Sequence, residues 1–454
     1  MSSVSTPARS IVLSQSIHSS LGARSIPTSW ILLWELPFWA LLLYGSLVPS
    51  TLVSRSEWFG VPMKLSDLLW ITCTGFYSAA ALVNLLLRRQ ARNYGGLLLA
   101  TMSLFAYGGL RLAAAPIESE DQLAMAFVLI LASTAPLQAA GLLSVYNPAQ
   151  TRAFLNRLVL VVACISLIYT AESVLGLGLR SEANSTVFTD FGMQRVRGPL
   201  YGPSTGYFLL LPAIGWAVQS FFSGRSRTSY AVFCTVALLS ALLGLGSRAA
   251  LILLVLYVCS LALFLRRLKR SEATALFLAA ISLAVCFLIY SQANTERLTK
   301  FEDVHRRLTH ETSWNVLETE SITNLLAGQG YASIWPWYRR DALRTESIAL
   351  GDNLVLTGFG PSLYHPHSTL LELLVEFGLA GLAWLVFLIV RICRLPFIAD
   401  ASSGWHVFSL ALVVSLLSFG FDLFIFKEVR VNSIWWLFLC AAFQLRRQPE
   451  AGVL

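Results

Sequence analysis

The feature that most constrains this chain is a series of long apolar windows with almost no charge inside them. They cover about residues 30–49, 66–87, 94–115, 122–145, 154–177, 203–222, 229–245, 248–265, 273–291, 367–390, 405–426 and 432–445. About 20 apolar residues in a helix match the hydrocarbon thickness of a bilayer. Inside hydrocarbon the backbone must satisfy its own hydrogen bonds, which a helix does within one segment. Hydrophobic residues make up 56% of the chain and charged residues 13%, with a mean hydropathy of +0.65. Soluble domains carry roughly 25% charged residues, so composition argues against a soluble globular enzyme. The expected fold class is an all-α polytopic membrane protein of about 12 transmembrane helices.

The sides follow from the short connections, because Lys and Arg near span ends resist translocation. One set holds Arg88, Arg89 and Arg92, then Arg152, Arg225 and Arg227, Arg266 to Arg270, Arg391 and Arg394, and Arg446 and Arg447. These connections belong inside. The alternate set includes the acidic turn Glu118, Glu120 and Asp121, the loop 178–202, the turn Gly246-Ser247-Arg248 and the long segment 292–366. Both termini are then cytoplasmic, and one large outer loop separates the ninth and tenth spans. The chain divides into a polar tail (1–29), a nine-span region (30–291), the outer loop (292–366), a three-span region (367–446) and a short tail (447–454).

The net charge of +8 reflects this topology and not a nucleic-acid surface, since the arginines fall in pairs between apolar runs. All seven cysteines lie in or at the ends of apolar stretches, so neither a disulfide framework nor a CxxC metal site is expected. The first 29 residues lack the short apolar core of a signal peptide, which leaves the first span as the insertion signal.

Loops as long as 292–366 usually carry a role. Four of the six histidines, His305, His310, His365 and His367, lie in this loop or at its junction with the tenth span. His365-Pro366-His367-Ser368 leads directly into that span, and a partly desolvated imidazole at a helix tip suits a general base. An interfacial histidine or helix cap is the plainer alternative, and no third ligand has the spacing for a zinc site. Arg248 sits between two apolar runs in a connection too short to carry it far from the membrane. Its guanidinium needs an anion, and phosphate matches its donors in bidentate geometry. Snorkelling to lipid headgroups is the competing account. Arg195 with Arg197, and Arg306 with Arg307, are two further outer cationic pairs. Arg111 near the end of the third span is expected to pair locally with Glu118 or Glu120. Trp335-Pro336-Trp337-Tyr338 suits an interfacial anchor or a sugar-stacking surface, and Gly328-Gln329-Gly330-Tyr331 a turn.

Three stretches carry a family likeness. Leu245-Gly246-Ser247-Arg248-Ala249-Ala250-Leu251, the glycine turn at 328–331, and His365-Pro366-His367-Ser368 followed by Leu371-Glu372 and Gly378-Leu379-Ala380-Gly381 occur in one order and on one side. Together they resemble the bacterial O-antigen ligase and O-antigen polymerase family, the WaaL and Wzy type of integral-membrane glycosyltransferase. Arg197-Gly198 with Pro203-Ser204 is a weaker match. Ala249 stands where the family usually has Gly, and Ser368 where it has Asn. The family's early loop Arg, four residues before a Trp, corresponds here to His310 before Trp314, with Arg306 or Arg307 in its place if the loop is shifted. The likeness covers about residues 195–445; the first five spans match only in hydropathy.

The resemblance implies transfer of a glycan from an undecaprenyl-diphosphate carrier to a lipid or glycan acceptor hydroxyl on the periplasmic face of the bacterial inner membrane. It implies His367, or else His365, as the base that takes the acceptor proton. Arg248, Arg195 or Arg197, and one of Arg306 or Arg307 would bind the diphosphate, without metal or cofactor. Ligase and polymerase differ only in acceptor, which the sequence leaves open. A transporter or flippase of lipid-linked sugars is the reading from another class. It would call for paired half-repeats and charges near the bilayer midplane. The chain has no convincing internal repeat, and its cations lie at span ends.

Overall fold

The computed structural model describes residues 28–47, 56–58, 61–63, 65–87, 95–113, 134–175, 206–222, 228–245, 247–264, 304–330, 354–357, 360–363, 368–397, 403–420 and 429–446. Helices dominate these residues, with two small hairpins as the only strands among them. In chain order they are α1 (Thr28–Leu47), the hairpin β1 (Ser56–Trp58) and β2 (Val61–Met63), α2 (Leu65–Leu87), α3 (Gly95–Ala113), α4 (Ala135–Leu143), α5 (Pro148–Leu175), α6 (Gly206–Phe222), α7 (Thr228–Gly244) and α8 (Arg248–Phe264). Then come α9 (Val304–Thr319), α10 (Ile322–Ala327), the hairpin β3 (Leu354–Thr357) and β4 (Gly360–Leu363), α11 (Thr369–Cys393), α12 (Ser403–Leu416) and α13 (Val429–Leu445). Eleven of the twelve apolar windows contain one of these helices; the window 273–291 lies outside the described residues. Pro148–Leu175 and Thr369–Phe397 are long and apolar enough to cross a membrane by length and composition, and shorter apolar helices accompany them.

Backbones approach closely where the packed residue is small. A Cβ on Gly141 of α4 would lie 1.8 Å from the Tyr77 carbonyl oxygen of α2, and one on Gly215 of α6 would lie 2.5 Å from the Ala411 Cβ of α12. Around those contacts the core is aromatic: Phe208, Phe408, Trp435 and Phe438 are fully buried, and Trp216 meets Phe408 edge-on at 5.0 Å. Edge-to-face aromatic pairs add about 0.5–1.5 kcal/mol beyond their buried area.

Polar groups collect at the two ends of the bundle. At one end, Glu35 of α1 is fully buried and accepts from three donors: Arg157 of α5 at 2.5 Å, Tyr146 at 2.9 Å and Trp39 at 2.7 Å. A buried carboxylate is tolerable only when so paired. Burial, with the Glu35 carboxylate adding to it, holds the Tyr146 phenol far above its ordinary range, so it remains a donor. The same end holds Trp34 donating to the Leu142 carbonyl at 3.0 Å, Asn84 donating to Ser144 at 2.8 Å, and Gln444 donating to the Tyr146 carbonyl at 2.7 Å. The start of α1, the end of α2, the end of α4 and the end of α13 are therefore level with one another.

Candidate functional site

The opposite end gathers the loop elements around the start of α11. Ser368 caps that helix: its backbone is extended, and its hydroxyl accepts from the Leu371 N–H at 3.3 Å. The sequence predicts one continuous span over 367–390, but the structure breaks it at Gly378, whose φ is +59 and ψ −143. Only glycine adopts that backbone readily. The bend is sharp. A Cβ on Gly381 would lie 2.6 Å from the Leu373 carbonyl oxygen, although eight residues of straight helix span about 12 Å.

The break leaves carbonyls without helical donors, and the glycine turn after α10 supplies donors to them. The Gln329 N–H donates to the Val375 carbonyl at 3.1 Å and the Gly330 N–H to the Glu376 carbonyl at 2.9 Å. Gly328 has φ +72, and a Cβ there would lie 2.4 Å from the Glu376 carbonyl oxygen. Conversely, a Cβ on Gly378 would lie 2.5 Å from the Leu326 carbonyl oxygen. The two glycines thus interlock. The end of α3 secures the other side of the turn: Tyr107 donates its hydroxyl to the Ala327 carbonyl, and Arg111 donates from two guanidinium nitrogens to the Gly328 carbonyl, at 2.8 and 3.3 Å. The expected partners of Arg111, Glu118 and Glu120, lie outside the described residues; the contact the structure gives it is this carbonyl.

Between the cap and the break, Glu372 and Glu376 are fully buried, as are Ser368, Thr369 and, on α9, Thr309, Thr312 and Ser313. Spaced at three and four residues, the α9 groups form one helix face. Thr312 donates to the Pro361 carbonyl at 2.7 Å and so fixes β4 along α9. Farther along that face, Val316 and Leu317 form a small apolar cluster with Leu371 and Val375 of α11. One end of the stretch between Leu363 and Ser368 is therefore fastened to α9 and the other to α11.

The sequence-derived site residues fall as follows. His365 and His367 lie on that stretch, and Arg195 and Arg197 on the connection 178–202; all four are outside the described residues. Arg248 opens α8, and its side chain is outside them too. Ser247 stands one residue before, and its hydroxyl accepts from the Ala250 N–H at 3.5 Å. Both α8 and α11 pack against α12 and the turn Leu417–Gly420 that continues it. Arg306 is half-buried on the first turn of α9; Arg307 is exposed and pairs with Glu311 at 3.5 Å. Exposed pairs of this kind contribute little to stability.

Sequence reasoning missed the pair Glu35 and Arg157, whose signal was a charge inside each of two apolar windows, alone in the first and accompanied only by Glu172 in the second. It also missed the contacts of Arg111 and the burial of Glu376. Among the described residues, no three His, Cys, Asp or Glu side chains are grouped to hold a metal ion. No family model and no curated protein matches the chain.

Proposed function

We propose that this chain is a membrane glycosyltransferase of the O-antigen ligase and polymerase type, with twelve spans, cytoplasmic termini and a periplasmic active face in a bacterial inner membrane. It transfers a glycan from an undecaprenyl-diphosphate carrier to an acceptor hydroxyl. The observation that supports this reading is that α9, β4 and the start of α11 are fastened together at one end of the bundle. The contact between Thr312 and Pro361 ties α9, which bears Arg306 and Arg307, to the strand that runs into His365 and His367. Four residues separate Pro361 from His365, a reach of at most about 14 Å, and Arg306 lies about 9 Å along α9 from Thr312. Arg248 opens a helix packed on the same 417–420 turn as α11.

The polar layers support the sidedness. The end that holds Glu35, Arg157 and Gln444 is the one the positive residues assign to the cytoplasm, and the glycine turn lies at the other.

In the reaction, His367 or His365 takes the proton from the acceptor hydroxyl as its oxygen bonds to the anomeric carbon. The bond from that carbon to the phosphate oxygen breaks, and undecaprenyl diphosphate leaves with the electron pair. Attack opposite the leaving group inverts the anomeric centre. Arg248, Arg195, Arg197, Arg306 and Arg307 are the candidate guanidiniums for the departing diphosphate, whose charge grows in the transition state. A positioned base contributes about 10²–10⁴ in rate.

Transfer in proteoliposomes from a synthetic undecaprenyl-diphosphate glycan, offered separate lipid A core and carrier-linked acceptors, tests this reading. Loss of transfer in Arg248→Ala and in His367→Ala or His365→Ala is the expected result, and the productive acceptor distinguishes ligase from polymerase. Movement of labelled carrier across the bilayer with no covalent transfer to any acceptor would replace the reading with a flippase.

A further inference from the structure

Ile322 and Leu326 lie one turn apart on α10 and are 76% and 53% exposed, although they belong to the polar outer loop. Among the described residues of that segment, Val316 and Leu317 pack on α11 with Leu325 beside them, while Trp314 of α9 is also exposed, at 54%. The exposed pair therefore needs a partner, and its depth in the membrane identifies one.

Two rulers give that depth. From Gly378 to Phe397, nineteen residues onward, α11 and the turn that ends it reach about 28 Å, nearly the roughly 30 Å of a hydrocarbon core. The sharp bend at Gly378 removes the preceding turns from the crossing, so a membrane spanned by this helix has its outer edge near Gly378. Independently, α3 runs 19 residues from Gly95, and Arg111, sixteen residues along, sits about 24 Å from its start. Arg111 and the bend both bind the glycine turn that ends α10. Both rulers put α10 at the outer edge of the hydrocarbon. Leu110 and Leu379, neighbours of Arg111 and Gly378 in the chain, are 72% and 52% exposed at the same level. The apolar surface of the spans thus continues onto α10.

We infer that α10 is immersed in the outer leaflet, with Ile322 and Leu326 among the acyl chains, so that the outer loop rests on lipid as well as on protein. This inference rests on the membrane reading above. On α9, Arg307, Glu311, Asn315 and Glu318 are exposed around Trp314, a mixed charged and aromatic face suited to the headgroup region. A loop seated this way would hold its cationic residues at the height where the phosphates of a lipid-borne substrate emerge.

The test is site-specific photocrosslinking of the full chain in phosphatidylethanolamine and phosphatidylglycerol vesicles. A benzophenone amino acid replaces Ile322, Leu326, Glu318 or Val386 one at a time; Val386 is an exposed position on α11 within the crossing. Lipid adducts at 322, 326 and 386, with none above background at 318, are expected. Lipid adducts at 386 alone, or crosslinks between two copies of the chain from 322 and 326, would overturn the inference while leaving the membrane reading in place. No lipid adduct at 386 would remove both. The two α10 positions are exposed, so the bulkier side chain displaces nothing, and each serves as the check on the other.

Discussion

Replacing Gly378 with Ala tests whether the glycine turn and the break in α11 form one joint. At φ +59 and ψ −143, a Cβ raises the backbone energy by about 1–3 kcal/mol. It also meets three main-chain atoms: the Leu326 oxygen at 2.5 Å, the Gly328 nitrogen at 2.6 Å and the Leu325 oxygen at 2.8 Å. None of these belongs to a flexible side chain, so relief requires the turn to move. Moving it breaks the hydrogen bonds from Gln329 and Gly330 to the Val375 and Glu376 carbonyls, at about 1 kcal/mol each and more where a buried carbonyl stays unsatisfied. The sum is about 3–6 kcal/mol, taken from the stability of the docked turn and not from the whole bundle.

Hydrogen exchange of the 322–330 peptide, read by mass spectrometry in detergent or nanodiscs, measures that local term directly. At about 1.4 kcal/mol per decade, the Gln329 and Gly330 amides should exchange about two to four decades faster in Gly378→Ala than in wild type. Gly328→Ala should do the same, because its Cβ meets the Glu376 oxygen at 2.4 Å. Gly75→Ala is the control: nothing lies within 4 Å of its Cβ inside α2, and helix propensity favours Ala by up to about 1 kcal/mol. Equal protection of 322–330 in Gly378→Ala and wild type would refute the joint.

Three more perturbations follow from the contacts. Arg111→Leu removes both donors from the Gly328 carbonyl, so the 322–330 peptide should exchange about tenfold faster, a smaller change than in Gly378→Ala; unchanged exchange would show that Arg111 does not hold the turn. Arg157→Leu takes the cation from the buried Glu35 carboxylate, leaving it only the Tyr146 and Trp39 donors, and should cost about 3 kcal/mol in thermal unfolding, whereas Glu35→Leu with Arg157→Leu should cost less than the two single changes added together; strict additivity would deny the coupling. Gly141→Ala drives a methyl group to 1.8 Å from the Tyr77 carbonyl oxygen, so it should lower the thermal midpoint where Gly75→Ala does not; equal midpoints would mean that α2 and α4 are not in close contact.

The helices were legible in the sequence because a long apolar window is a local property that needs no knowledge of partners. Wherever such a window is described, a helix is found in it, although in the window 122–145 the described helix covers only Ala135–Leu143. The break inside the tenth window was hidden for the same reason: hydropathy sums side chains and is blind to the φ of Gly378. The sequence did carry a trace of it in Phe377-Gly378-Leu379-Ala380-Gly381, where both glycines prove necessary, one for its backbone angle and the other for the room inside the bend. Which charge meets which partner across a long separation had no local trace. Glu35 meets Arg157 from 122 residues away, and Arg111 meets Gly328 from 217.

The break also changes what the buried glutamates mean. In a straight span, Glu372 and Glu376 would be two carboxylates in the first turns of a membrane helix, an expensive placement. Bent away at Gly378, the same turns lie among loop elements, where Ser368, Thr369, Thr309 and Thr312 are buried with them and the glycine turn caps the freed carbonyls. The apolar length that remains from Gly378 is close to what a bilayer requires. One glycine thereby separates the long apolar part of α11 from the turns that pack among the loop elements. The same break seats the turn that binds Arg111, so the end of α3, the end of α10 and the bend in α11 are held together as one joint across more than two hundred residues of chain.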